Sequence, residues 1–138
     1  MEEELTIPDF LKQMLESQYG EETFKKIVQG YLCDRKVTLR VNTIKSNLEE
    51  IENVLKLENI EFEKVIWSKE ALVIKNAKEA DIQKLKIYEE GKIYLQSLSS
   101  MLPPIILEPK QGKDILDMAA APGGKTTQMA ALSQNKAH

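Results

Sequence analysis

The chain has 138 residues, of which 42% are hydrophobic and 30% charged, and its net charge is −3. That size suits one domain, or one small domain and a piece of another, and the composition excludes disordered and fibrous classes. No apolar run approaches the ~20 residues needed to cross a bilayer, and the acidic start Met1-Glu2-Glu3-Glu4 lacks the basic opening of a secretory signal.

Pro8-Asp9 predicts the start of a helix with Phe10, Leu11, Met14 and Leu15 on one face and Gly20 as its stop. A second helix follows, with Phe24, Ile27, Val28 and Tyr31 at helical spacing. Cys33, near its end, reads as a small buried structural thiol. As the chain's single cysteine it cannot form an internal disulfide, so a reducing, cytoplasmic setting is expected. Val37–Asn42 alternates apolar and polar residues, the pattern of a half-buried strand. Ser46-Asn47-Leu48-Glu49 matches a capping box and opens a helix to about Glu58, with Leu48, Ile51, Val54 and Leu55 inward.

Strands are predicted at Ile60–Glu63 and Ala71–Lys75, with a linking segment that holds Trp67. A short helix at Lys78–Leu85 and a strand at Lys92–Leu95 complete the series. From Val37 the order is β-α-β-β-α-β, the split βαβ of ferredoxin-like domains, and the fold class is α+β. RNA-recognition modules share this order but carry base-stacking aromatics on their third strand, and Ala71–Lys75 has none. RNA contact through backbone and shape is the corresponding expectation. Beyond it, Ser97 caps a helix that Pro103-Pro104 is expected to kink or divide. Pro109–Gly112 is a turn, and Asp114–Met118 is the predicted first strand of an α/β unit.

Charge is uneven along the chain. Glu21–Lys45 carries Lys25, Lys26, Arg35, Lys36, Arg40 and Lys45 against Glu21, Glu22 and Asp34, an excess of three positive charges. Arg35, Lys36, Arg40 and Lys45 are therefore candidate RNA-binding residues, since phosphates are met by local clusters rather than by net charge. A solvated helix face fits the same charges.

After Asp117 comes Met118-Ala119-Ala120-Ala121-Pro122-Gly123-Gly124-Lys125-Thr126-Thr127, a glycine-containing loop ahead of a helix start at Lys125–Leu132. Such a junction offers unpaired N–H groups, and two glycines let main chain approach a ligand closely. Asp117 can accept hydrogen bonds there. Gly124-Lys125-Thr126 matches the second half of a phosphate-binding loop, but its first glycine would fall at Ala119.

Asp117–Thr126 closely resembles the first cofactor motif of the Sun-type RNA cytosine-5 methyltransferases, apart from Ala119 where the family has cysteine. The resemblance extends through Leu39-Arg40-Val41-Asn42-Thr43-Ile44-Lys45 and Gly91–Leu102, and covers about two thirds of the chain. It implies S-adenosylmethionine as cofactor, with the main chain of Ala119, Ala120, Ala121, Pro122, Gly123, Gly124 and Lys125 lining it. Asp117 would be a nearby support, and Lys125 would shape the loop or lie close to the cofactor. It further implies an RNA substrate, rRNA or tRNA, and two regions. Residues 1–96 would orient RNA, and residues 97–138 would begin a Rossmann-like methyltransferase domain. The family's two reactive cysteines and its ribose-binding acid have no counterpart after the loop. The chain is thus expected to be the amino-terminal part of an enzyme, inactive by itself, with no catalytic residue, no metal site and a sheet incomplete enough to favour self-association. A stand-alone RNA- or protein-binding module, and a nucleotide hydrolase resting on Gly124-Lys125-Thr126, are the other readings.

Overall fold

The computed structural model describes residues 7–33 and 35–138; the acidic start and Asp34 lie outside the described residues. The chain forms two compact units, one ending at Arg35 and the other running from Lys36 to His138. The first unit is α1 (Asp9–Leu32), in which Gly20 is non-helical at φ 79° and ψ 162°. Two helices were expected to meet at this glycine, and the break lies there because a left-handed φ carries no penalty for a residue without Cβ. Phe24 is buried while Phe10 is 70% exposed, so the inward face expected of the first half is not fully used.

The second unit runs β1 (Thr38–Val41), α2 (Leu48–Leu57), β2 (Phe62–Val65), β3 (Ser68–Ile74), α3 (Glu79–Gln83), α4 (Lys86–Glu89), β4 (Ile93–Leu95), α5 (Leu98–Leu107) and α6 (Gly124–Leu132). All its strand pairs are antiparallel, and the strand order is β2-β3-β1-β4. This is the ferredoxin-like arrangement that the element order predicted. β2 and β3 are joined by a tight turn at Ile66-Trp67 rather than by a longer segment. The helix expected at Lys78–Leu85 is the shorter α3, and a further short helix, α4, follows it after Leu85 in extended geometry.

Side chains alternate across a strand, so each sheet face can be read from the sequence. Leu39 and Val41 of β1, Leu72 and Ile74 of β3, and Ile93 of β4 share one core with Ile51 and Leu55 of α2, Ile82 of α3 and Ile87 of α4. Leu39 pairs with Leu72 on one side and Leu95 on the other, which locks the register. The opposite face presents Arg40, paired with Ala71 and Tyr94, and then Gln96. That face meets α5 and α6.

α2 starts differently from its prediction. Asn47 is the cap, its side chain accepting from the Glu50 N–H at 2.9 Å, while Ser46 bonds the Glu50 carboxylate at 2.7 Å. α5 is one continuous helix despite Pro103 and Pro104. A proline at 104 cannot donate to the carbonyl of Ser100, and Gln96 Nε2 takes that carbonyl instead at 3.0 Å. A side chain from β4 thus supplies the donor that the proline lacks. Asp114–Met118 forms no ladder strand. Its backbone has partners nevertheless: His138 N donates to Lys113 O at 2.9 Å and Ile115 N to His138 O at 2.7 Å, the pattern of a single parallel bridge. One bridge does not make a strand, and Leu116 and Met118 remain 83% and 90% exposed.

Candidate cofactor loop and its support

The loop Asp117–Thr126 is closed by its own acid. Asp117 Oδ1 accepts from Ala119 N at 2.9 Å and Oδ2 from the Thr126 hydroxyl at 2.7 Å. The Thr126 hydrogen bond, then that of Ala119, holds the Asp117 carboxyl below its ordinary value, with the Lys125 charge a smaller cause. Asp117 is therefore a clasp for the loop rather than a free acceptor for a ligand.

The two glycines have different duties. Gly123 caps α6 at φ 108°, a left-handed conformation that L side chains rarely adopt. A Cβ on Gly124 would lie 3.3 Å from Tyr94 Cε1 and 3.5 Å from Gln96 Cδ. The sequence suggested glycines bared for a ligand; at Gly124 the missing Cβ also leaves room for Tyr94 and Gln96. The groups a ligand could meet here include the N–H groups of the helix start. Those of Gly124, Lys125 and Thr126 have no acceptor among the described residues, as expected at a helix start, whereas Thr127 N reaches Gly123 O at 2.8 Å. Ala119, Ala120, Ala121 and Pro122 are exposed along the loop, and Lys125 is half-buried.

A polar seam holds this loop on the sheet. Tyr94 Oη donates to Pro122 O at 3.1 Å. Arg40 Nε donates to Gln96 Oε1 at 3.1 Å, and its Nη2 to Thr127 Oγ1 at 3.1 Å. The Thr127 hydroxyl passes its own proton to Gly123 O at 2.8 Å. Gln96 Nε2 also donates to Gln128 Oε1 at 3.0 Å, and Gln128 Nε2 to Met101 O at 3.0 Å. Between β4 and the loop lies a cavity of about 180 Å³ with Tyr94, Gln96, Ser100, Pro122, Gly124 and Lys125 on its walls. Clefts of about 540 and 820 Å³ elsewhere are larger, so the lining rather than the size marks the loop.

The candidate RNA residues divide. Arg40 is 3% exposed and spends its donors inside the seam, so it leaves the RNA-facing set. Its position was read as outward because a charge on an alternating strand normally meets water, and α6 covers that face. Lys25 and Lys26 of the same stretch are ion-paired with Glu21 and Glu22 at 2.7 and 2.8 Å. Arg35, Lys36 and Lys45 are exposed, with Lys45 Nζ resting on Glu90 O at 2.9 Å. Cys33 is exposed rather than buried, its thiol donating to Gln29 O at 3.3 Å. Among the described residues no His, Cys, Asp or Glu group could hold a metal, and no helix is long and apolar enough to cross a membrane.

Residues 7–81 match the family model for the RsmF/B-like methyltransferase ferredoxin-like domain, and residues 104–138 match that for the 16S rRNA methyltransferase RsmB/F. The chain belongs to the RsmB/F methyltransferase family. Within it, a tRNA (cytosine(49)-C(5))-methyltransferase of Pyrococcus abyssi is 46% identical over 72% of this chain and 32% of its own length. The probable ribosomal RNA small subunit methyltransferase B of Bacillus subtilis is 34% identical over 96% of this chain and 29% of its own. A crystal structure of a methyltransferase homolog protein from Pyrococcus horikoshii superposes with a TM-score of 0.70 at 34% identity, over 86% of this chain and 38% of that one. The chain thus spans about a third of the length of its RsmB/F relatives.

The sequence reading missed Tyr94, Gln96, Thr127 and Gln128 as parts of the site. A signal existed for the first two. Ile93 and Leu95 belong to the core face, so alternation turns Tyr94 and Gln96 to the other.

Proposed function

We propose that the chain carries the RNA-orienting domain and the first cofactor loop of an S-adenosylmethionine-dependent RNA cytosine-5 methyltransferase acting in the cytoplasm on rRNA or tRNA. The observation that carries this reading is the loop itself: three successive N–H groups at Gly124–Thr126 with no acceptor among the described residues, held on the sheet through Pro122 and Gly123. Those donors suit the carboxylate of the cofactor's methionine part, and the main chain of Ala119–Lys125 would line the rest. Bound there, adenosylmethionine supplies an electrophilic methyl group. Asp117 keeps the loop closed, and Lys125 contributes a positive charge beside it. Arg35, Lys36 and Lys45 are the surface cations offered to RNA phosphates. Cytosine activation in the resembled enzymes runs through a cysteine thiolate. Cys33, the chain's only cysteine, sits at the end of α1 with its thiol on a helix carbonyl. The chain alone therefore binds and orients, and does not transfer methyl.

Calorimetry with adenosylmethionine and, separately, ATP tests the cofactor assignment. Heat of binding with adenosylmethionine and none with ATP is expected. The reverse would move the loop to the phosphate-binding class.

A further inference from the structure

Arg40 is buried with no ion-pair partner among the described residues, the carboxylate of Glu70 acting on it only through its charge. It is 3% exposed, and its hydrogen-bond partners are two neutral groups, Gln96 Oε1 and Thr127 Oγ1. Burial holds its pKa down to about 10, so it is still a cation at neutral pH. An unpaired buried charge is costly, and an apolar side chain would fill the same space at less cost. What an apolar side chain cannot do is donate in two directions at once.

Those directions lead to the loop. The Thr127 hydroxyl has one proton, which faces Gly123 O at 2.8 Å and, less closely, Gly124 O at 3.2 Å, so Arg40 meets its lone pair and fixes its orientation toward those carbonyls. Tyr94 holds the preceding carbonyl, that of Pro122. A peptide group is planar. Fixing the Pro122 carbonyl therefore aims the Gly123 N–H, and fixing that of Gly123 aims the N–H of Gly124. The other arm of Arg40 engages Gln96, which in turn bonds Ser100 O of α5 and Gln128 of α6.

We infer that Arg40 is a positioning residue for the cofactor loop, acting through Thr127 on the Gly123–Gly124 peptide and through Gln96 on α5 and α6. The inference rests on reading that loop as the adenosylmethionine site. Arg40 itself touches no loop carbonyl, so its effect passes through the two side chains it orients.

Thr127 is exposed, so Thr127→Val is a mild change for folding and Thr127→Ser restores the hydroxyl. Arg40→Lys keeps the charge but loses the second donor direction. Amide exchange of the 138-residue chain reads the bond from residue 127 N to Gly123 O, and calorimetry reads adenosylmethionine affinity. Arg40→Lys and Thr127→Val should each speed exchange at residue 127 and weaken the cofactor by about tenfold, the worth of one hydrogen bond. Thr127→Ser should match the parent in both. The Leu39 and Leu72 amides should be unmoved by Thr127→Val. Unchanged exchange at residue 127 in both variants overturns the inference, as does a loss spread equally over the strands. If the parent chain itself takes up no adenosylmethionine, the cofactor reading fails, and the exchange result alone still decides the role of Arg40.

Discussion

The hydroxyl of Tyr94 and the carbonyl of Pro122 are joined by a 3.1 Å hydrogen bond that ties the last strand of the sheet to the cofactor loop. The same ring lies below Gly124 and beside Arg40, whose guanidinium is 5.9 Å from the ring centre. Tyr94→Phe keeps the ring and deletes only the bond. Loss of about 1 kcal/mol of loop stability is expected, read as faster exchange at residue 127 with little change in the urea midpoint. An unchanged loop would mean that ring packing, not the hydroxyl, sets its pose.

Gly123 and Gly124 should respond unequally to alanine. Gly123 needs its positive φ of 108°, and a non-glycine residue there costs roughly 1–3 kcal/mol. At Gly124 the obstacle is a contact of 3.3 Å with a ring atom, which a small shift of Tyr94 relieves. Urea unfolding should therefore rank Gly123→Ala as the more destabilising, and the opposite order would contradict the backbone argument.

For the cap of α2, Asn47→Ala should cost about 1 kcal/mol, because the orphaned Glu50 N–H loses the side-chain acceptor. Ser46→Ala removes only a bond to the Glu50 carboxylate and should cost less. Equal losses in thermal melts would restore Ser46 as the cap.

Acid should open the loop before it unfolds the domain. The Asp117 pKa is lowered in the folded chain from its ordinary 3.8, chiefly by Thr126. A depressed carboxylate contributes stability that is complete above the unfolded value and is lost as pH falls through the folded one. The Ala119 amide should thus lose protection only below about pH 4, the range where a free aspartate titrates. Asp117→Asn should abolish that step, and loss of protection at higher pH would point to another group.

If Arg35, Lys36 and Lys45 meet phosphates, replacing all three by glutamine should lower the slope of RNA affinity against salt by about 2, at ~0.7 for each contact to a single strand. Replacing the buried Arg40 should leave the slope as it is. A slope unchanged by the triple substitution returns these residues to ordinary surface charge.

The core of the sheet was legible because one physical rule determines it. Val37, Leu39 and Val41 alternate toward one face, and Ile51 and Leu55 lie one helical turn apart on the helix that covers them. What alternation does not tell is what lies on the other face. Arg40 therefore looked solvated, although α6 lies over it. The two prolines of α5 looked like a break because local rules cannot foresee that Gln96, four residues before Ser100, would take the vacant carbonyl. Asp114–Met118 had strand composition, but a strand exists only through its neighbours, and a single bridge from His138 is what it finds. The loop was the reverse case: its composition pointed to a ligand, while the missing Cβ of Gly124 also leaves room for Tyr94.

The hydrogen-bonded seam has a consequence for modularity. Greasy surfaces tolerate sliding, but a face joined by several directed hydrogen bonds accepts its partner in one pose. Cutting the chain after Gln96 would leave Arg40 without Thr127, and Gln96 without Ser100 and Gln128. The ferredoxin-like half is therefore not an interchangeable cassette. A chimera that joins it to the α5–α6 segment of another protein should assemble soundly only when the incoming segment carries a hydroxyl at the position of Thr127 and an amide at that of Gln128.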